Sequence, residues 1–366
     1  LLLGVILGIQ KMTNFWDFPI YLVVISAIII ASNILKYKIS KKTILILISQ
    51  ILEILLIEEL ITLPFTKDLY ISATKVYFTN VTSPLHKLAV MWALPTLCFI
   101  VNLIVIICNL IKDKQNKFMD KLRNIKISDV YIMILGACAL GLVLLPEIIY
   151  LKDIYGDEFK RANTMFKLTY QAYILFSIST SYIIIKLICD KGAIAKKIFA
   201  GILLAIQITT FGYGIHAIQY VTGHQEKQNL ANAEYYIKEN YPDDYDAIQW
   251  IKSNIERDKI ILEKSSGSYN VASRISVFTA NPTLLGWHGH EWIWRADEDY
   301  STPDEEDVRW GDIYTAYVSN NVEEIQDSVE TILIQAGYDD VAKAYILYRR
   351  QHENARKVKD TVLDYK

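Results

Sequence analysis

Leu88-Ala-Val-Met-Trp-Ala-Leu-Pro-Thr-Leu-Cys-Phe-Ile-Val-Asn-Leu-Ile-Val-Ile-Ile-Cys-Asn-Leu-Ile111 runs without a charged side chain into Lys112, Lys114 and Lys117. An uncharged apolar stretch of that length crosses a hydrocarbon core of about 30 Å as a helix, and the lysines mark the end that stays in the cytoplasm. Working outward, five more stretches are long and predominantly apolar: Phe18–Leu35, Thr43–Leu63, Ile127–Tyr150, Met165–Cys189 and Ile198–Tyr220. Their connectors alternate in charge. Lys36–Lys42, Lys112–Lys126 and Lys186–Lys197 are basic, while Trp16–Asp17, Pro64–Lys87, Glu147, Asp153–Lys167 and everything after Tyr220 fall on the other side. The positive-inside rule makes that other side extracytoplasmic, in a plasma membrane.

The expected fold is therefore an α-helical polytopic membrane protein with about six full spans plus one partial, Leu1–Met12, followed by a small extracytoplasmic α/β domain. Leu1–Met12 reads as the outgoing end of a helix, so the chain is expected to be a fragment. The domains expected are residues 1–222 in the membrane, 233–314 as the soluble α/β unit and 321–366 as a helical tail. In the soluble part Asp243–Asn254 reads as an N-capped amphipathic helix, and Lys259–Glu263 and Arg274–Thr279 read as short strands. Pro64–Lys87 reads as a connector with a short amphipathic helix on the membrane surface.

Composition sets limits. The chain is 52% apolar with a formal net charge of −2, and its basic residues sit as loop anchors with no continuous stripe, which excludes a nucleic-acid partner and leaves membrane lipid as the partner expected. The cysteines, Cys98, Cys108, Cys138 and Cys189, lie in or at the ends of spans, so neither a disulfide framework nor a thiolate metal site is indicated.

Three groups could carry chemistry. Arg161-Ala-Asn-Thr-Met-Phe-Lys167, with Gln171 behind it, opens the fifth span. Arg161 and Lys167 bracket a helix start, where unpaired N–H groups favour an anion such as phosphate; interfacial anchoring by two long cations explains the same pattern. Gly286-Trp-His-Gly-His-Glu291, with Arg295 after it, offers Trp287, His288, His290, Glu291 and Arg295 as a contact surface for a sugar or lipid headgroup, or as a packed loop. A zinc site there lacks a distant third ligand. Glu53, Glu58 and Glu59 lie inside the second span, where carboxylates often line an ion pathway.

The ordered set Asn14-Phe-Trp-Asp17-x-Pro19, Arg161-x-Asn-Thr-Met-Phe-Lys167-x3-Gln171 and Gly286-Trp-His-Gly-His-Glu291-x3-Arg295 resembles the YYY membrane protein family of archaea, Chloroflexi and some anaerobic bacteria, a family of unknown function grouped with the GT-C glycosyltransferases. The resemblance implies sugar transfer from a polyprenyl-phosphate donor on the outer face, with Arg161, Asn163 and Lys167 at the donor phosphate. It implies Asp17 and Glu147 as candidate catalytic carboxylates lining the same cavity, and a divalent metal as cofactor. The competing class is a non-catalytic scaffold or an ion or solute transporter built on the span glutamates. The last fifty residues depart from that family: Asn321–Glu330 and Val341–Arg350 resemble the C-terminal half of an ATP-cone, the nucleotide-sensing module of anaerobic ribonucleotide reductases. The absence of that module's basic N-terminal half and the outer-face placement both oppose a working nucleotide site, so the stretch reads as two amphipathic helices at a junction of unrelated sequences.

Overall fold

The computed structural model describes residues 1–37, 39–67, 75–112, 114, 117–152, 159–190, 194–221, 232–295, 304–318, 329–331, 334, 343, 346 and 347, without the side chains of 293–295 and 304–306. It divides into two compact units, Leu1–Gln225 and Glu226–Lys366.

The first unit is a helical bundle, as a chain surrounded by lipid requires, because a helix satisfies its backbone polar groups within one segment. It comprises α1 (Leu2–Thr13), α2 (Asp17–Lys36), α3 (Lys41–Thr66), α4 (Leu85–Lys112), the short α5 (Phe118–Arg123), α6 (Ile127–Leu144), α7 (Ala162–Cys189) and α8 (Ile194–Val221). Five of these, α2, α4, α6 with the 3₁₀ turn that extends it to Glu147, α7 and α8, are long and apolar enough to cross a membrane, so the chain is an integral membrane protein. The sixth expected span is corrected. α3 is as long, but Glu53, Glu58 and Glu59 dilute its apolar run. It packs on the helices before it: Asn33 of α2 donates to Gln50 of α3 at 3.0 Å, while Lys11 at the end of α1 pairs with Glu58 at 2.8 Å and Glu59 at 2.9 Å.

Small residues set the tightest contacts. A Cβ on Gly4 would stand 2.7 Å from Ile57 Cβ and one on Gly8 would stand 3.3 Å from Ile61 Cγ2, so a Gly-x3-Gly step lets α1 lie against α3 in the same direction. On α6, a Cβ at Gly136 would run into the Phe99 ring of α4. Leu135, Ala139, Ala172, Leu175, Phe176 and Ile183 fill the core between α6 and α7. Leu45, Leu52, Leu56 and Leu60 leave an exposed apolar stripe on α3, as a lipid-facing surface should.

At one end of the bundle β1 (Val76–Phe78) pairs antiparallel with β2 (Ile149–Leu151), Tyr77 opposite Tyr150 with their rings stacked at 5.9 Å. That pairing gathers the connectors after α3 and α6 at the lysine-poor end. Of the surface helix expected in Pro64–Lys87, residues 68–74 lie outside the described residues, and 76–78 are strand.

The second unit contains α9 (Glu234–Asn240), α10 (Pro242–Asn254), α11 (Arg274–Thr279), α12 (His288–Arg295) and α13 (Asp304–Val318). The expected α/β domain is corrected here. Among the described residues the one strand pair is β1–β2 in the membrane unit, and this unit holds only isolated bridges, Ile261 to Thr283 and Ser266 to Trp287. Arg274–Thr279, expected as a strand, is helical. Glu263 accepts from the Ile275 and Ser276 N–H groups at 3.0 and 2.9 Å, capping the helix start from outside. Left-handed Ser273 (φ 63°) and Ala280 (φ 62°) close it at both ends. Capping from a distant carboxylate overrides local strand preference. The helix expected at Asp243–Asn254 is α10, with Ile248 buried and Trp250 exposed.

Candidate functional site

Most of the candidate polar residues of the membrane unit meet at the lysine-poor end, around the first turns of α7. Arg161, at the N-terminal boundary of α7, donates from Nη1 to Glu147 Oε2 at 2.9 Å and to the Pro146 carbonyl at 3.1 Å, and from Nη2 to Ser83 Oγ at 3.0 Å. The Ser83 N–H donates to the same Glu147 oxygen at 2.6 Å. Side-chain exposures of 15% for Arg161 and 11% for Glu147 make this a largely desolvated pair, which draws the connectors before α4, after α6 and before α7 together. Further along α7, Gln171 donates to Asp17 Oδ1 at 2.8 Å and accepts from the Tyr21 hydroxyl at 2.8 Å, tying α2 to α7.

The sequence-expected residues thus share one end, but the contacts differ from those of an open anion site. The Arg161 fork is occupied by Glu147, Ser83 and a carbonyl, and Asp17 is engaged by Gln171. Lys167 lies 5.7 Å from the centroid of its neighbour Phe166 and has no carboxylate partner among the described residues. Asn163 is half-buried beside it. The span glutamates are also accounted for: Glu58 and Glu59 are paired with Lys11, Glu58 receives Thr62 Oγ1 at 3.4 Å, and Glu53 is exposed.

A second polar cluster went unread in the sequence. At the lysine-rich end Lys186 Nζ lies 2.6 Å from Asp129 Oδ1 and 3.1 Å from Asn102 Oδ1, and the Tyr182 hydroxyl donates to Asp129 at 3.0 Å. Asn102 and Asp129 are polar residues in otherwise apolar stretches, but that they converge on Lys186 depends on the packing of α4, α6 and α7.

In the second unit the Gly286–Arg295 motif is helical from His288, so His288 and His290 diverge. His288 meets Trp310 at 6.0 Å between ring centroids, whereas His290 packs on Trp287 at 5.3 Å and Tyr269 at 5.2 Å. His290 Nδ1 is 2.8 Å from Ser268 Oγ, and Trp287 Nε1 donates to the Ala272 carbonyl at 3.0 Å. Trp287, His290 and Glu291, with Ser273, Ser276 and Val277, line a cavity of about 560 Å³. The Arg295 side chain lies outside the described residues. Among the described residues no three His, Cys, Asp or Glu side chains are grouped to hold a metal ion.

Comparison with known proteins bears out the division of the chain into a membrane region and an ATP-cone-like tail, without the glycosyltransferase identity. Residues 1–133 and 116–176 match the family described as "Uncharacterized membrane protein (DUF2298)", and residues 313–354 match the ATP cone domain. The chain is 62% identical over 40 residues to the ribonucleoside-diphosphate reductase subunit alpha of Chlamydia pneumoniae, a stretch that is 11% of this chain and 4% of that protein. No solved structure matches. The glycosyltransferase assignment, with its polyprenyl-phosphate donor, is therefore corrected: the match with a named chemistry points to a nucleotide-binding module and a reductase subunit, and none points to sugar transfer. Of the span glutamates that suggested a transporter, Glu58 and Glu59 share Lys11, and Glu53 is exposed. The chain thus joins a membrane region similar to that uncharacterized family to a C-terminal segment similar to an ATP cone.

Proposed function

We propose that this is a membrane protein whose C-terminal segment binds a nucleoside triphosphate and reports nucleotide level to the membrane unit that carries it. The observation that supports this reading is the ATP cone match at residues 313–354, with the 40-residue stretch at 62% identity to the reductase subunit. Within the match Lys343, Arg349 and Arg350 supply cations of the kind that pair with phosphate. The whole chain in nanodiscs, titrated with ATP and dATP in a calorimeter, should show saturable binding. Arg349→Ala with Arg350→Ala should weaken it roughly tenfold or more, the equivalent of one lost charge-assisted hydrogen bond. Heat flow no different from buffer in the wild-type chain would remove the reading.

A second reading rests on the connectors. Lys36–Lys42, Lys112–Lys126 and Lys186–Lys197 share one end of the bundle, and the positive-inside rule makes that end cytoplasmic and the tail extracytoplasmic. Under it the matched segment is a pair of amphipathic helices with no nucleotide to meet. Single cysteines at Ser268 and Asn116, in a chain whose four native cysteines are replaced, separate the two with a membrane-impermeant thiol reagent on intact cells. Labelling at Asn116 alone is the nucleotide reading's outcome, and labelling at Ser268 alone is the second reading's.

A further inference from the structure

The lysine-rich end of the bundle encloses a cavity of about 730 Å³ between the end of α4, α5, the start of α6 and the end of α7. Two carboxylates line it, Asp129 and Asp190, and both are engaged within the protein: Asp129 by Lys186 at 2.6 Å and Asp190 by Lys196 at 2.6 Å. Two further cations line it without such a partner. Lys121 donates to the Leu110 carbonyl at 3.0 Å, which leaves the rest of its ammonium open, and Lys126 has no partner among the described residues. Neither meets a carboxylate among the described residues. Lys126 is also the residue that precedes α6, whose first turn carries no side-chain cap.

The rest of the wall is of opposite character. Ile106, Leu110 and Ile185 form an apolar side, and Ile185 is 61% exposed, so that side continues onto the lipid-facing surface of α7. A ligand fitting both halves has a compact anion joined to a hydrocarbon chain. We propose that this cavity holds the phosphodiester headgroup of an anionic phospholipid against Lys121 and Lys126, with an acyl chain running along Ile106 and Ile185. Basic pockets between membrane helices select anionic headgroups in this way. Asp129 and Lys186 also line the cavity, and the site does not depend on the function of the tail.

Native mass spectrometry of the full chain, purified from mixed vesicles of phosphatidylglycerol and phosphatidylcholine, reads the site directly. Phosphatidylglycerol should be retained in preference to phosphatidylcholine. Lys121→Gln with Lys126→Gln should lower its bound population roughly tenfold, as loss of two charge-assisted contacts implies. Lys41→Gln with Lys42→Gln, at the same end but outside the cavity, should leave retention unchanged. Should the double variant fail to fold, Ile185→Trp fills the apolar side with both charges intact and should displace the same lipid. Equal retention of the two lipids, full retention in both cavity variants, or displacement by excess inorganic phosphate alone would each overturn the assignment, the last by showing a site for a free anion.

Discussion

The two ends of the membrane bundle carry similar polar side chains and treat them in opposite ways. At the lysine-poor end, Arg161, Glu147 and Ser83 close on one another and Gln171 closes on Asp17 and Tyr21, so these polar groups act as clasps between connectors and between α2 and α7. At the lysine-rich end the carboxylates are likewise satisfied, but Lys121 and Lys126 are left facing a cavity. The difference teaches that a cation at the end of a span says little until its partner is known. A paired guanidinium is structure, and an unpaired ammonium on a cavity wall is a binding group.

The largest effect expected from this contrast is at the clasp. Arg161→Ala leaves Glu147 largely desolvated with only the Ser83 N–H to offset its charge, and should destabilise the purified protein by about 2–4 kcal/mol, below the range for a fully buried pair because both groups retain some solvent. Thermal melting in detergent checks it. Combining Arg161→Met with Glu147→Leu should recover much of the loss, because removing both charges removes the unpaired one. If Arg161→Ala melts like wild type, the residue is not a clasp and the contrast between the ends fails.

Next in size is the pair at the other end. Lys186→Met removes one of two donors to Asp129 and leaves the Tyr182 hydroxyl in place, so a loss of about 1–3 kcal/mol is expected by the same melting assay. Gly136→Ala should cost a similar amount, about 1–3 kcal/mol, by driving a methyl group into Phe99, and Phe99→Leu in the same chain should relieve part of it. Together these separate electrostatic from steric fixing of α6 within the bundle.

How much of this was legible in the sequence depends on what each residue needed to be understood. The five membrane-crossing helices follow from apolar length, which is a local property. Placing Asp17, Glu147 and Arg161 at one end also followed, because alternation of spans is a counting argument. That Arg161 is occupied by Glu147 and Ser83 was not legible, since those partners lie 14 and 78 residues away. α11 was misread for the same reason: the cap that makes Arg274–Thr279 helical comes from Glu263, 12 residues upstream of Ile275. In α3 the charges were visible but their neutraliser, Lys11, belongs to another helix. Local patterning reports burial, whereas pairing is tertiary information.

The smallest effect is a reference for the rest, because it concerns an exposed pair outside the membrane. The Lys252 ammonium hydrogen-bonds Glu234 and holds its carboxyl below the ordinary value of 4.5, with Gln249 adding a contact at 3.2 Å. A carboxyl whose pKa is lower folded than unfolded adds stability above its unfolded value, and that contribution disappears as pH falls through the lowered one. The packing of α9 on α10 should therefore weaken between neutral pH and the acid side of 4.5, by less than about 1 kcal/mol given the solvent around both groups. Glu234→Gln should flatten this acid limb, measured by amide hydrogen exchange in α9 across that pH range. An acid limb of the same depth in the variant would assign the effect to another carboxylate. A limb as deep as the loss at the Arg161 clasp would show that solvent exposure, which separates the strong pairs of this molecule from the weak ones, is not what sets their strength.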